Sequence, residues 1–334
     1  MKYLKQPMMR KVLYALVPVY LHALWLYGWH VLASAAVVFA LGIATEWLFE
    51  RKKSGKVSEA VLVTCALYAI AFPPRTPLWM LGVGIVFAVS MAKMVYGGFG
   101  RNVFNPAIAG RLFVYISFAT VLGQRYSMAG GFGLGSPADV VASATPLAVM
   151  RSGGTVPLAN LLLGQREGAM GEGMMVFIAI AAIYLIATKT ASWKIIVSSV
   201  VAAAALNAAL LYGGVAKALP IESLLAGSFL FVTVFMATDP VTAPKRPVSH
   251  FVYGALIGLT VVVIRTFSAF PEGTSFAVLF GNTFTNLIDQ SVDALKKKPA
   301  AVAPVVGAAA VVTAAPGATG SGPAAPAPGQ GGAK

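Results

Sequence analysis

The sequence predicts an all-α integral membrane protein of about ten transmembrane helices, arranged as two inverted five-helix repeats. Three observations predict it. Of the 334 residues, 58% are hydrophobic and only 11% are charged, and the mean hydropathy is +0.78, far from the balance of a soluble domain. The apolar residues fall into blocks suited to a hydrocarbon core about 30 Å thick, which takes roughly 17–25 residues of helix. The basic residues, which bring the net charge to +14, gather between alternate blocks.

The first half offers Val12–Tyr27, Val31–Phe49, Glu59–Phe72, Leu78–Val95 and Ala107–Leu122. The second offers Gly173–Ala187, Lys194–Tyr212, Leu219–Ala237, His250–Thr266 and Thr274–Gln290. The third and sixth blocks are short for a straight crossing. They are expected within the bundle, or continued by non-helical backbone, which a membrane admits only against protein or water. Residues 1–122 form the first repeat, 123–172 a polar, glycine-rich connection, and 173–292 the second repeat. The segment 293–334, rich in Ala, Pro and Gly, lacks helical periodicity and is expected to be a disordered tail. No small-residue cleavage site follows Met1–Lys11, so the first span is expected to stay in the mature protein.

Charge placement gives the orientation. One side of the predicted topology holds Lys2, Lys5, Arg10, Lys11, Arg51, Lys52, Lys53, Lys56, Arg101, Lys189, Lys194, Lys245, Arg246 and Lys296 to Lys298. The other holds Arg75, Arg125, Arg151, Arg166, Lys217 and Arg265. Both termini are therefore expected in the cytoplasm and the 123–172 connection outside. The positive balance is a signal of topology and of lipid headgroups, not of nucleic acid, since no basic run interleaved with aromatics sits on a soluble segment. The single cysteine, Cys65, excludes a disulfide framework and a self-contained iron–sulfur or zinc site, and is expected in the core.

The repeat is visible in two helix breaks. Ala71-Phe72-Pro73-Pro74-Arg75-Thr76-Pro77 interrupts the third span, and Thr238-Asp239-Pro240-Val241-Thr242-Ala243-Pro244 the eighth. Each break leads to a span with glycines near its start, Gly82 and Gly84 or Gly254 and Gly258, and a basic residue near its end, Lys93 or Arg265. An odd number of spans per unit makes the two units insert in opposite senses, and inverted repeats with interrupted helices place polar sites near the midplane.

Two polar motifs carry the candidate chemistry. Tyr96-Gly97-Gly98-Phe99-Gly100-Arg101-Asn102-Val103-Phe104-Asn105-Pro106 supplies glycines for close backbone approach, amides from Asn102 and Asn105, and the fixed charge of Arg101, followed by Arg111. The same residues also describe a glycine-rich turn and a helix capped by Asn105-Pro106. In the connection, Ser143-Ala144-Thr145-Pro146-Leu147 puts a hydroxyl at the start of a short helix. On the residues alone, this is an ordinary cap or a place where a phosphate meets free amides.

Residues Gly97 to Arg111, with Pro73-Pro74-Arg75-Thr76-Pro77-Leu78-Trp79, resemble a signature of the flavin-carrying membrane subunit shared by two ion-pumping complexes. It is the B subunit of the sodium-translocating NADH:quinone oxidoreductase and the D subunit of the Rnf ferredoxin:NAD oxidoreductase. The resemblance continues through Leu162-Leu163-Gly164, Gly168 to Glu172, Ala237 to Pro244, Phe270 to Gly273 and Asn286 to Asp289. It implies an electron-carrying subunit, not catalytic alone, of a translocase in the bacterial inner membrane. It implies FMN joined through a phosphoester to Thr145, with Ser143 standing where glycine is usual. It further implies riboflavin, bound non-covalently near Gly97, Gly98, Gly100, Arg101, Asn102 and Asn105. Implied partners are the other subunits, including one bearing FMN and others bearing iron–sulfur centres, and a flavin transferase, since His22, His30 and His250 all lie away from the loop. Thr145-Pro146-Leu147 and the short N-terminus look more like the Rnf subunit, and Arg101 with Ala109-Gly110-Arg111 more like the quinone-reductase subunit; the Rnf type is favoured.

The carboxylates Glu46, Glu172, Asp239, Glu272 and Asp289 fall in or beside apolar segments, where such groups mark ion paths or structural pairs. Glu172, Asp239, Glu272 and Asp289 are the candidates for a path, which the resemblance implies is one for sodium. Pairing of Asp239 and Glu272 with Lys93, Arg111 or Arg265 is the structural alternative. A passive channel for a small solute, built on the same five-plus-five plan, is the alternative of another class; it makes Thr145 an ordinary cap.

Overall fold

Prolines, glycines and one asparagine set where the helices begin and end. The computed structural model of the chain describes residues 2–53, 55–123, 132, 145–164, 166–173, 175–268 and 273–296. Ser143, Glu272, most of the connection before Thr145 and the tail beyond Lys296 lie outside the described residues.

Helix α1 (Pro7–Tyr27) begins with proline, whose missing N–H has no partner to lose in a first turn. Gly28 alone, at a φ of 65°, joins it to α2 (Trp29–Glu50), a backbone state open to glycine. Two short parallel strands follow no pattern visible in the sequence: β1 (Lys2–Leu4) lies beside β2 (Lys56–Ser58), with Tyr3 opposite Val57. Helix α3 (Glu59–Ala69) stops at the first break, and α4 (Leu78–Val89) continues into a wide π-helical turn at Ser90–Met94. Then come α5 (Pro106–Ser117) and α6 (Ala119–Gly123). In the connection lie α7 (Pro146–Arg151), α8 (Leu158–Leu163) and a single tight turn at Met170–Glu172. The second half comprises α9 (Met175–Ala187), α10 (Trp193–Tyr212), α11 (Pro220–Leu225), α12 (Phe229–Phe235), α13 (Pro247–Phe267) and α14 (Thr274–Lys296).

Helix occupies part of every predicted span, with several shifts of boundary. The first span starts at Pro7, not Val12, and the ninth at Pro247, not His250, since each proline opens a first turn; the tenth runs on to Lys296, so helix covers the first residues of the segment 293–334 expected as a tail. The third ends at Ala69, not Phe72, the fifth is interrupted at Phe118, and the sixth starts at Met175. The eighth is divided between Leu225 and Phe229, where Gly227 adopts a φ of 67°. By length and composition α2, α10 and α13 suffice to cross a membrane.

Helix α3 has 11 residues, about 16 Å at 1.5 Å per residue, and runs inside the bundle against α1, α2 and α5. Val61, Cys65, Tyr68 and Ala69 on it are fully buried. The carbonyls freed by its break find donors: Ile70 O accepts from Gly171 N at 2.6 Å and Phe72 O from Met170 N at 3.0 Å. Backbone from the end of the connection thus completes a broken helix, as an apolar interior demands. A side chain at Gly171 would press on Ile70 at 3.1 Å, so the close approach calls for glycine.

The most extensive helix pair is α10 with α13. Gly254 and Gly258, four apart on α13, lie on Ile195, Ser199 and Ala203 of α10, so the two backbones touch through small residues. Other pairs are α2 with α4, α4 with α5 and α13 with α14, while α1 meets α9 and α5 meets α14 across the two halves. Tyr14, Leu21, Ile183 and Val201 face outward, and Trp25, Trp29, Trp79 and Trp193 are exposed near helix ends. An apolar exterior with tryptophan at its edges is that of a helical membrane protein.

Candidate functional site

The glycine-rich motif begins where α4 ends. Gly97 N donates to Met94 O at 3.0 Å and Gly98 N to Lys93 O at 3.2 Å, closing the π turn. Gly97, Gly98 and Gly100 all have positive φ, so these glycines shape the loop. Arg101 is exposed, whereas Asn102 is buried and donates to Phe104 O at 3.1 Å.

Asn105 is the hub of this region. Its side-chain oxygen accepts from Ala107 N at 3.0 Å and Ile108 N at 3.3 Å, the cap its sequence predicts. Its amide nitrogen donates to Met236 O at 3.2 Å and to Asp239 Oδ2 at 3.4 Å, both at the second break. Asn282 of α14 accepts from Asn105 N at 3.3 Å and donates to Tyr253 Oη at 2.8 Å and Thr242 O at 3.4 Å. Two amides therefore satisfy the second break, as backbone satisfies the first. Phe99, Asn102, Asn105, Thr238, Asp239 and Lys93 line one side of a small cavity, of about 50 Å³, whose other walls come from α1, α3, α9 and α12. The cavity brings Asn102, Asn105 and Asp239 together and leaves out Gly97, Gly98, Gly100 and Arg101.

Among the described residues, the candidate carboxylates do not converge. Glu46 is held 2.6 Å from Lys93 Nζ, with both side chains almost fully buried, and Ser58 bonds to both. Glu172 lies 3.3 Å from Arg111, also buried. Asp289 is half-buried and accepts from Lys245 N at 2.7 Å and Arg246 N at 3.2 Å, ahead of α13. The suggested partners of Asp239 are thus corrected. Lys93 is taken by Glu46 and Arg111 by Glu172, while Arg265 donates to Ser223 O at 2.6 Å. Asp239 instead accepts from Val241 N at 3.1 Å, Thr242 Oγ1 and Asn105. Sequence reasoning also missed Arg166, which is buried and ties Glu172 O (2.8 Å) to Leu225 O (2.7 Å). An arginine flanked by Leu161-Leu162-Leu163 and Gly168-Ala169-Met170 was the available signal.

Thr145 stands at the N-cap of α7 with Pro146 in the first turn, as its sequence predicts. Its side chain does not make the cap bond, so the hydroxyl is not consumed there. Helix α7 packs through Leu147 and Met150 on Leu161 and Ala226. Beside it opens a second cavity, of about 110 Å³, lined by Leu147, Met150 and Arg151 of α7, Asn207 of α10, Lys217, Ser223, and Val262 and Arg265 of α13. Arg151 is fixed there by Arg265 O at 2.9 Å and Ser268 O at 2.6 Å. Gly227 admits this packing, for a side chain on it would lie 2.8 Å from Leu147 and 3.1 Å from Arg265.

A model of the NQR2, RnfD, RnfE family matches residues 4–297. The chain is 36% identical over 270 residues to the B subunit of the Na(+)-translocating NADH-quinone reductase of Azotobacter vinelandii, covering 77% of this chain and 65% of that protein. The corresponding subunit of Ectopseudomonas mendocina is 37% identical over 270 residues, with coverage of 77% and 65%. That of Neisseria meningitidis is 34% identical over 274 residues, again with 77% and 65% covered. The chain thus spans about 65% of the length of these relatives.

Proposed function

The chain belongs to the NQR2, RnfD, RnfE family, and from that premise we propose that it is the electron-carrying membrane subunit of an ion-pumping redox complex, with FMN esterified to Thr145. The observation that carries the proposal is the Thr145 hydroxyl, unused by its own helix and two residues before Leu147, in a helix that walls a cavity lined also by Lys217 and Arg265 and closed on its own side by Arg151. Three cations suit a group that arrives with a phosphate and gains negative charge on reduction. The flavin supplies the electron transfer, while these residues bind and orient it. A separate transferase forms the ester.

Riboflavin is assigned to the cavity at Asn102, Asn105 and Asp239, where buried amides and a flanking Phe99 suit a flat ring with polar edges. The ten-span, inverted-repeat reading is supported by the pairing of α1 with α9 and α5 with α14, by the equivalent pairs α2 with α4 and α10 with α13, and by the two satisfied breaks. The basic residues beside β1 and β2 support cytoplasmic termini in a bacterial inner membrane. Sodium is the proposed ion, and flavin-bearing and iron–sulfur subunits are the proposed partners.

Thr145-Pro146-Leu147 favours a ferredoxin-linked Rnf complex. The names of the relatives favour a second reading, the Na(+)-translocating NADH-quinone reductase; reduction of the purified complex by ferredoxin or by NADH separates the two.

The test is in-gel flavin fluorescence after denaturation, in protein made with its flavin transferase. Wild type is expected to fluoresce and Thr145→Ala to be dark. A dark wild type overturns the proposal and returns the protein to the passive-channel class.

A further inference from the structure

Asn207 has no account in the packing of its helix. It lies on α10 among alanines and leucines, is 5% exposed, and its Oδ1 accepts no hydrogen bond among the described residues. A buried carboxamide oxygen left so is a cost of folding that an apolar residue would avoid. The residue lines the cavity beside α7, together with Arg151, Lys217 and Arg265.

The geometry points to Asn207 as the residue that holds the pyrimidine edge of the flavin ring, an inference that rests on the FMN ester at Thr145. That edge presents an N–H donor between two carbonyl acceptors. A carboxamide offers one acceptor and two donors in one plane, so Asn207 accepts from the ring N–H and donates to the neighbouring carbonyl. Few other side chains meet both demands without bringing a charge. Reach is no obstacle: Thr145 is two residues from Leu147, which already lines the cavity, and a ribityl phosphate spans more than one helical turn of about 5.4 Å. The cations fall into place on this reading. Arg151 is fixed by two backbone carbonyls and Arg265 by Ser223 O, so their charges stand near the ring without moving when it is reduced. Asn207 is then a positioning residue whose donated hydrogen bond strengthens as the ring gains electrons.

The test compares wild type, Asn207→Leu and Asn207→Asp, each made with the flavin transferase, by two readouts: in-gel fluorescence and a redox titration of the flavin absorbance in the folded protein. Both variants are expected to keep the fluorescent band, because the ester lies at Thr145. In Asn207→Leu, the reduction equilibrium of the flavin held by Thr145 is expected to move roughly tenfold toward the oxidised form, the worth of one buried hydrogen bond. Asn207→Asp, of the same shape but without the donor, is expected to move further the same way, and it decides the matter if Asn207→Leu does not fold. Fluorescent variants that titrate as wild type does overturn the role of Asn207 and leave the ester standing. A dark wild type overturns the ester itself.

Discussion

Removing one member of the Lys93–Glu46 pair should be more damaging than removing both. Lys93 Nζ lies 2.6 Å from Glu46 Oε2 and 2.8 Å from Ser58 Oγ, and Ser58 N donates to Glu46 Oε1 at 2.9 Å. The two charged side chains are 2% and 3% exposed, so neither falls back on water when its partner goes. Glu46→Leu strands an ammonium and Lys93→Met strands a carboxylate; breaking a buried pair in this way costs about 3–5 kcal/mol. The double variant removes both charges and leaves the Ser58 groups to be resatisfied, about 1–3 kcal/mol. At roughly 2 °C per kcal/mol for a large domain, each single variant should melt about 6–10 °C below wild type, and the double variant above either single. Cys65 reports the transition: it is the single cysteine of the chain and fully buried, so a thiol-reactive fluorophore labels it on unfolding. Single variants that melt with wild type, or a double variant as low as the sum of the singles, would refute the reasoning, since the pair would then be hydrated or dispensable.

Two further perturbations follow from the breaks and the helix contacts. Asn105→Ala removes the cap of α5, about 1 kcal/mol, and strands Met236 O, about 1–3 kcal/mol more; Asn105→Asp keeps the cap but sets a carboxylate against Asp239, so raising the salt concentration should not restore its melting temperature as it would for an exposed pair. Gly258→Leu forces a side chain onto Ser199 and Ala203 of α10. Its overpacking should cost at least about 1–3 kcal/mol, visible as early labelling of Cys65, whereas Leu259→Ala on the exposed face should change little.

The fold was legible where chemistry is local. Asn105-Pro106 and Thr145-Pro146 announce helix starts, and the two proline-rich breaks stand where the sequence predicts them, whereas the starts at Pro7 and Pro247, several residues before the predicted Val12 and His250, were not read. Thr145-Pro146 was readable as a cap because a cap involves a few adjacent residues. The partners of the buried charges were not readable. Glu46 and Lys93 are 47 residues apart and Arg111 and Glu172 are 61 apart, so their meeting depends on how each helix is turned about its axis. Gly171 completing the α3 break was hidden for the same reason, since a backbone bond leaves no mark on side-chain pattern. Asn207 is one amide in an apolar run, and only the arrival of α7 and α13 beside it gives it surroundings. Strands β1 and β2 are too short for an alternating pattern to show.

The proposed function turns on Thr145 carrying the flavin, and peptide mass spectrometry tests this most directly. Trypsin should release residues 126–151, which contain both Ser143 and Thr145. In protein matured with its flavin transferase, this peptide is expected at its own mass plus that of FMN less one water, with fragment ions that place the addition on Thr145. An unmodified peptide, or an addition that fragments to Ser143, would contradict it.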